Sequence, residues 1–439
     1  MKKKWILCLA SVLVLLLSGC SMQSVDEMYR LPKRSDEFTN LQSVINETMS
    51  GLEYSAPISG ENRQTVQTAD LDGDGKFEHI LFAKSAAEKP LQIFIFSGKG
   101  GTFRLLDSIE CSGTAFEQVE YVALNSSPGF ELVVGRQVSE QVLRSVSVYT
   151  LVDGQIEQQM TTNYAKYLCS DLQGDGLSEL LVLRPGESDS DNGIAELYNF
   201  QGDTVKRYPQ ISMSAPADKI KRMIHGKLEG GQNAVFVASS VDQSAIVTDI
   251  FAIVNDQFTN ITLSGDTGTS VETLLNYYVY ADDIDGDGIL ELPTLINMKI
   301  SGEAAADQSQ YLIRWYSMGP DGNKVEKLHT YHNYEGGWYI KLDSSIAERF
   351  TVIQRGNAFY FYLWDAYNTQ SHEIMSIYVL TGQKREQQAT EANRFVLYRG
   401  ESTVYAAKLE VSSAAYGMTK ENIIAAFHLI LQDWKTGET

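Results

Sequence analysis

Three short stretches of this chain place side-chain oxygens at alternate positions between glycines. They are Asp70-Leu71-Asp72-Gly73-Asp74-Gly75-Lys76-Phe77-Glu78, Asp171-Leu172-Gln173-Gly174-Asp175-Gly176-Leu177-Ser178-Glu179 and Asp283-Ile284-Asp285-Gly286-Asp287-Gly288-Ile289-Leu290-Glu291. Oxygens at positions 1, 3 and 5 fall on one side of a tight loop. Gly at position 6 permits the reversal, and position 7 can offer a backbone carbonyl. Hard oxygens gathered in this way suit a hard divalent cation. Position 9 adds a further acid, Glu78, Glu179 or Glu291. In the second loop Gln173 replaces an acid, which lowers the charge of that site.

The residues after each loop indicate the element that holds it. Position 12, where a helix-loop-helix calcium site needs a bidentate acid, is Leu81, Val182 or Thr294. An apolar strand-like run follows instead: 79–83, 180–183 and 292–296. Two degraded copies lie between the acidic loops. Ala123-Leu124-Asn125 to Phe130-Glu131 keeps the counterparts of Leu71, Phe77 and Glu78, while Lys227-Leu228-Glu229-Gly230-Gly231 is one residue shorter before its strand. Loops starting at 70, 123, 171, 227 and 283 recur at a period of roughly 50 residues, the signature of an array or propeller. One period reads as strands over 79–84, 91–97, 102–109 and 116–123, with hairpin signals such as Val152-Asp153-Gly154 and Asn255-Asp256. Four short strands per repeat make a blade whose faces are buried only by its neighbours. The expected fold is therefore mostly β, a β-propeller of about five four-stranded blades, with five to seven as the range, over residues 60–333.

The loops and their following strands resemble the FG-GAP or VCBS repeats of integrin-like β-propellers, which hold calcium between two strands of a blade. That resemblance implies up to three structural Ca²⁺ sites. The first would use Asp70, Asp72, Asp74, the Lys76 carbonyl and Glu78. The second would use Asp171, Gln173, Asp175, the Leu177 carbonyl and Glu179. The third would use Asp283, Asp285, Asp287, the Ile289 carbonyl and Glu291. The loops at 123–131 and 227–234 lack most of these ligands and are expected to be metal-free.

The start of the chain carries an address. Lys2, Lys3 and Lys4 precede an apolar stretch from Trp5 to Leu17, too short to span a bilayer but suited to a signal-peptide core. Leu17-Ser18-Gly19-Cys20 then resembles the lipobox of bacterial lipoproteins, which implies cleavage before Cys20 and lipidation of its thiol. Residues 1–19 would be the signal peptide, and 20–59 a lipidated tether with a short helix capped by Ser35. The lipid would hold the protein to the extracytoplasmic face of a bacterial cell membrane. Of the remaining cysteines, Cys111 and Cys169 either pair as a disulfide in an oxidising compartment or stay as two small buried hydrophobes.

From 334 to 439 the period stops. Strand-like runs, including Ala358 to Trp364 with alternating aromatics, lead to a helix capped by Thr419 with Ile423, Ile424, Phe427, Ile430, Leu431 and Trp434 on one side. A small α+β domain is expected there. No recognisable nucleophile, zinc or phosphate-binding motif occurs, and His329 and His332 would point to opposite faces of a strand. Asp and Glu total 56 against 36 Lys and Arg, a net charge of −20 that excludes nucleic acid as a natural partner. The function expected is non-enzymatic: binding of a protein, peptide or glycan by a calcium-stabilised propeller. The alternatives are a polysaccharide lyase or glycoside hydrolase using the channel, or an envelope assembly factor.

Overall fold

The computed structural model describes residues 36–99, 102–138, 143–188, 191–202, 204–241, 245–276, 279–298, 311–365, 367 and 369–430. The expectations for the leader, Cys20, Ser35, Leu431 and Trp434 fall outside the described residues.

Among the described residues, six antiparallel sheets follow one another along the chain. The first contains Val66–Ala69, Glu78–Lys84, Leu91–Lys99 and Thr102–Cys111, with Glu53–Tyr54 added beside Glu78–Lys84. The second is Ala115–Val122, Glu131–Gln137, Arg144–Val152 and Gln155–Tyr164. The third is Lys166–Ser170, Glu179–Arg184, Ile194–Gln201 and Thr204–Arg207, with Ile211–Ser212 at one margin. Ile220–Lys227, Asn233–Ser240, Ile246–Val254 and Gln257–Asn260 make the fourth. In these four sheets the main strands pair in chain order, because tight turns such as Asn255-Asp256, both at positive φ, return the chain directly to its neighbour.

The burial pattern shows why the sheets stack. Glu131–Gln137, Glu179–Arg184 and Asn233–Ser240 are buried almost without alternation, so both of their faces are covered. Successive residues face opposite neighbours. Leu132 and Val134 pack on the first sheet with Phe82 and Ile95, whereas Val133 packs on the third with Leu180 and Val182. Leu181 and Leu183 then meet Val235 and Val237 of the fourth sheet, and Phe236 meets Leu292 and Tyr316 of the fifth. The outer strand Gln155–Tyr164 is mostly exposed or half-buried, as expected for a sheet rim. The helix Asp36–Thr48 sets Leu41 and Ile45 against Leu81, Phe96 and Phe103, on the other face of the first sheet.

The fifth sheet contains Glu291–Asn297, Tyr311–Met318, Lys324–Asn333 and Trp338–Leu342. Its last hairpin therefore runs across residue 334, where the repeat was expected to stop. The sixth sheet contains Phe350–Arg355, Ala358–Trp364, Ser371–Thr381, Thr403–Leu409 and Phe395–Arg399 in that spatial order. One apolar cluster joins the two through Tyr331, Trp338 and Ile340 on one side and Phe350, Phe359 and Phe361 on the other. The inner half of the aromatic stripe thus belongs to the core. Thr419 caps a helix as expected, accepting from the Asn422 N–H. The helix is shorter than expected: it ends at Ala426, and Phe427–Leu429 pairs with Trp338–Ile340 as an added strand. Burial of Phe427 against Trp338 and Tyr405 favours the strand over another helical turn.

Cys111 and Cys169 are both free. Cys111 ends the last strand of the first sheet, beside the Tyr149 hydroxyl at 3.5 Å, while Cys169 sits on the first strand of the third sheet. Cys111 packs in the apolar cluster between the first and second sheets and Cys169 against the one between the second and third, so the second sheet lies between them.

Trp338→Ala is expected to destabilise the protein by about 3–5 kcal/mol, the cost of emptying a large core site. Hydrogen exchange should accelerate in both Tyr311–Met318 and Ala358–Trp364. Acceleration confined to one of these strands would contradict a shared core.

Candidate cation site at the loop end of the sheets

The loops share a frame that begins with one buried apolar residue and one buried carboxylate. Leu71, Leu124, Leu172 and Ile284 at position 2 are buried, which fixes the start of each loop. The N–H of the same residue donates to Oε2 of the glutamate at position 9. These bonds are Leu71 to Glu78 at 3.0 Å, Leu124 to Glu131 at 2.7 Å, Leu172 to Glu179 at 2.9 Å and Ile284 to Glu291 at 3.0 Å. The 227 loop has no glutamate there, and the Leu228 N–H donates to the Gln232 carbonyl instead.

Aspartate at position 1 closes the three acidic loops. Asp70 accepts from the Gly73 and Gly75 N–H groups, Asp171 from Gly174, Asp175 and Gly176, and Asp283 from Gly286 and Gly288. At position 5, Asp74, Asp175 and Asp287 accept from the N–H groups of Lys76, Leu177 and Ile289. These are Asx turns, and they account for the loop shape. They do not account for the second oxygen of the buried glutamate.

That oxygen is treated differently according to position 3. In the 123 loop Asn125 Nδ2 donates to Glu131 Oε1 at 2.8 Å. In the 171 loop Gln173 Nε2 and Asn199 Nδ2 donate to Glu179 Oε1 at 2.6 and 3.0 Å. Both glutamates are satisfied by neutral amides. Gln173, expected as a ligand, therefore acts as a donor, and the acids of its loop form no convergent group among the described residues. The other two loops have aspartate at position 3. Asp70, Asp72 and Glu78 bring one oxygen each within 4.8 Å of one another, and so do Asp283, Asp285 and Glu291. Sequence reasoning found both of these sets, but it missed Asn125, Asn199 and Ser97 as partners of the glutamates.

Burial raises the pKa of the position-9 glutamate in all four loops, and amide donors oppose the rise for Glu131 and Glu179. Glu78 and Glu291 are 1% and 0% exposed. Burial raises the Glu78 pKa, and Asp72 adds to the rise, while the Leu71 N–H and the Ser97 hydroxyl oppose it. For Glu291, burial and then Asp285 push the carboxyl up to about 8. Its Oε1 is buried with no hydrogen-bond partner among the described residues. A carboxylate in that position needs a positive charge or a proton. The position-5 acids lie outside these clusters: Asp74 Oδ2 is 3.1 Å from Lys76 Nζ, and Asp287 Oδ2 is 2.9 Å from Lys327 Nζ. The residues suited to a cation are thus those at positions 1, 3 and 9 of two loops.

Hydrogen bonds place all five loops side by side. The Phe130 N–H donates to the Asp70 carbonyl, Ser178 to Ala123 and Leu290 to Lys227, while the Asn233 side chain donates to the Asp171 carbonyl. The expected H-x-x-H divergence also holds: His329 Nδ1 lies 3.1 Å from the Ser344 hydroxyl, whereas His332 stacks on Tyr339.

No family model and no curated protein matches the chain. Among solved structures it is similar to the exotype rhamnogalacturonan lyase YesX at 13% identity and a TM-score of 0.31, covering 73% of this chain and 67% of that one. It is similar to the rhamnogalacturonan lyase YesW at 13% identity and 0.31, covering 74% and 64%. A protein from Lactobacillus plantarum matches at 12% identity and 0.30, covering 74% and 95%. Superpositions of this quality carry no functional argument.

A pH dependence follows from Glu291. Its folded pKa is raised, so the stability linked to its proton is present at low pH and is lost as pH rises from the ordinary glutamate range through about 8. In excess chelator the midpoint of urea unfolding should fall between pH 5 and pH 9, and Glu291→Gln should flatten that part of the decline. An identical slope in Glu291→Gln would contradict the burial of an uncompensated carboxyl.

Proposed function

We propose that this chain is a lipid-anchored, extracytoplasmic binding protein built on a propeller-type array of blades, with Ca²⁺ as a structural ion in two of its loops. The observation that carries the ion is Glu291 Oε1, buried beside Asp283 and Asp285 without a hydrogen-bond donor among the described residues. Calcium is favoured over magnesium because flexible loops of carboxylate oxygens suit the larger, geometrically less demanding ion. Asp283, Asp285 and Glu291 would hold one ion, and Asp70, Asp72 and Glu78 the other. The ion supplies the positive charge that amides supply in the neighbouring loops, and so fastens the first strand of a blade to the second. The described convergent carboxylates are then structural, which favours a binding role over a catalytic one. The anchor rests on Leu17-Ser18-Gly19-Cys20 behind a basic and apolar start.

Melting curves with calcium and with chelator test the ion. At free calcium about ten times the dissociation constant, each site should add about 1.4 kcal/mol. Asp72→Asn with Asp285→Asn should copy the amide loops, leaving a folded protein whose melting temperature no longer responds to calcium. A wild-type curve unmoved by excess chelator would contradict the reading.

Labelled palmitate should enter the wild-type protein in bacterial cells and be absent from Cys20→Ala. Equal labelling would refute lipidation at Cys20.

A further inference from the structure

The row of loops is tightly closed at one joint and open at another. Where the 70 and 123 loops meet, a Cβ on Gly73 would lie 2.3 Å from Pro128 Cβ. Where the 171 and 227 loops meet, the second loop is shorter and carries Gly230 and Gly231, both at positive φ. A Cβ on Gly174 would find nothing within 4 Å. The shortened loop thus leaves a cleft of about 430 Å³ between the third and fourth sheets. That volume lies within the range of small-ligand sites, about 300–1,000 Å³.

The cleft is lined by the apolar Leu172 and Ile253 and the polar Gln173, Gln232, Asn233, Asn255 and Asp256, together with Gly174 and Gly231. Three of its amides have an N–H already engaged. Gln173 donates to Glu179, Gln232 to the Ile253 carbonyl and Asn233 to the Asp171 carbonyl. These bonds fix the amide orientations, since each acceptor is an oxygen. The carboxamide oxygens of the three side chains remain as acceptors, and Asp256 adds a carboxylate. No lysine, arginine or histidine is among the described lining residues. The net charge of −20 further disfavours an anion. Each of these amides also keeps a second N–H, so a ligand for this cleft should carry groups that both donate and accept, as hydroxyls do, and positive rather than negative charge.

We propose that the cleft binds a small hydroxylated amine, an amino sugar with a free amino group, its ammonium on Asp256 and its hydroxyls on the carboxamide oxygens of Gln173, Gln232 and Asn233. This deepens the proposed binding role by naming a ligand class, and it uses none of the residues assigned to calcium.

Glucosamine is the probe, titrated into the full chain in saturating calcium and followed by calorimetry and amide NMR. Binding is expected at about millimolar affinity, with shifts centred on Gly174, Gly231 and Asn255. Asp256→Asn keeps the turn, because asparagine tolerates the positive φ of this position. It should weaken glucosamine about tenfold, the loss of one charge-assisted hydrogen bond. Glucose, which lacks the amine, should bind about tenfold more weakly than glucosamine for the same reason. No shifts up to tens of millimolar glucosamine would overturn the site. Equal binding of glucose, or an unaffected Asp256→Asn, would overturn the ligand class. Failure here with an intact calcium response in melting curves would remove the cleft and leave the calcium loops standing.

Discussion

A glutamate carboxylate pulled out of water to hold the backbone of its own loop is the constraint on which the loop end depends. One oxygen is used identically in four loops, on the N–H seven residues back. Burying the group is costly unless the other oxygen is also satisfied. Asn125 and Gln173, the latter helped by Asn199, provide that with amides. Asp72 and Asp285 cannot, since they bring a second negative charge to the same place. The same frame therefore closes on itself where position 3 is an amide and gathers a second carboxylate where it is aspartate, with the Ser97 hydroxyl reaching Glu78 Oε1 but no described donor reaching Glu291 Oε1.

The frame also links neighbours. Position 1 presents its carbonyl to the next loop, so Asp70 shapes its own turn with its carboxylate and holds the second sheet through the Phe130 N–H. The sheets behind the loops interlock by alternation, odd and even residues of one strand facing different neighbours. The ends differ from the middle. The helix Asp36–Thr48 packs on the outer face of the first sheet, and the C-terminal strand Phe427–Leu429 completes the edge of the fifth.

Much of this was legible in the sequence because it is written in period and in turn chemistry. The strands after each loop, the hairpins and the Thr419 cap all follow from local rules. The acids at 70, 72 and 78 and at 283, 285 and 291 converge as their spacing implies. The role of Gln173 was not legible, because an amide can serve as ligand oxygen or as donor, and only the position of Glu179 decides. Asn199 and Ser97 come from strands distant in sequence, so no local pattern announces them. The C-terminal helix was overextended because helical periodicity in 423–434 does not reveal that Trp338 offers a strand edge and an aromatic face. The cleft beside Gly174 arises from a missing residue in another loop, a tertiary effect of a one-residue deletion.

The most direct measurement is the number of calcium ions bound per chain, taken by equilibrium dialysis on protein stripped of metal. Two ions are predicted for the wild type, one for Asp285→Asn, and three once Gln173→Asp removes the amide from the middle loop. Three ions in the wild type, or none, would contradict the rule that position 3 selects between amide and cation.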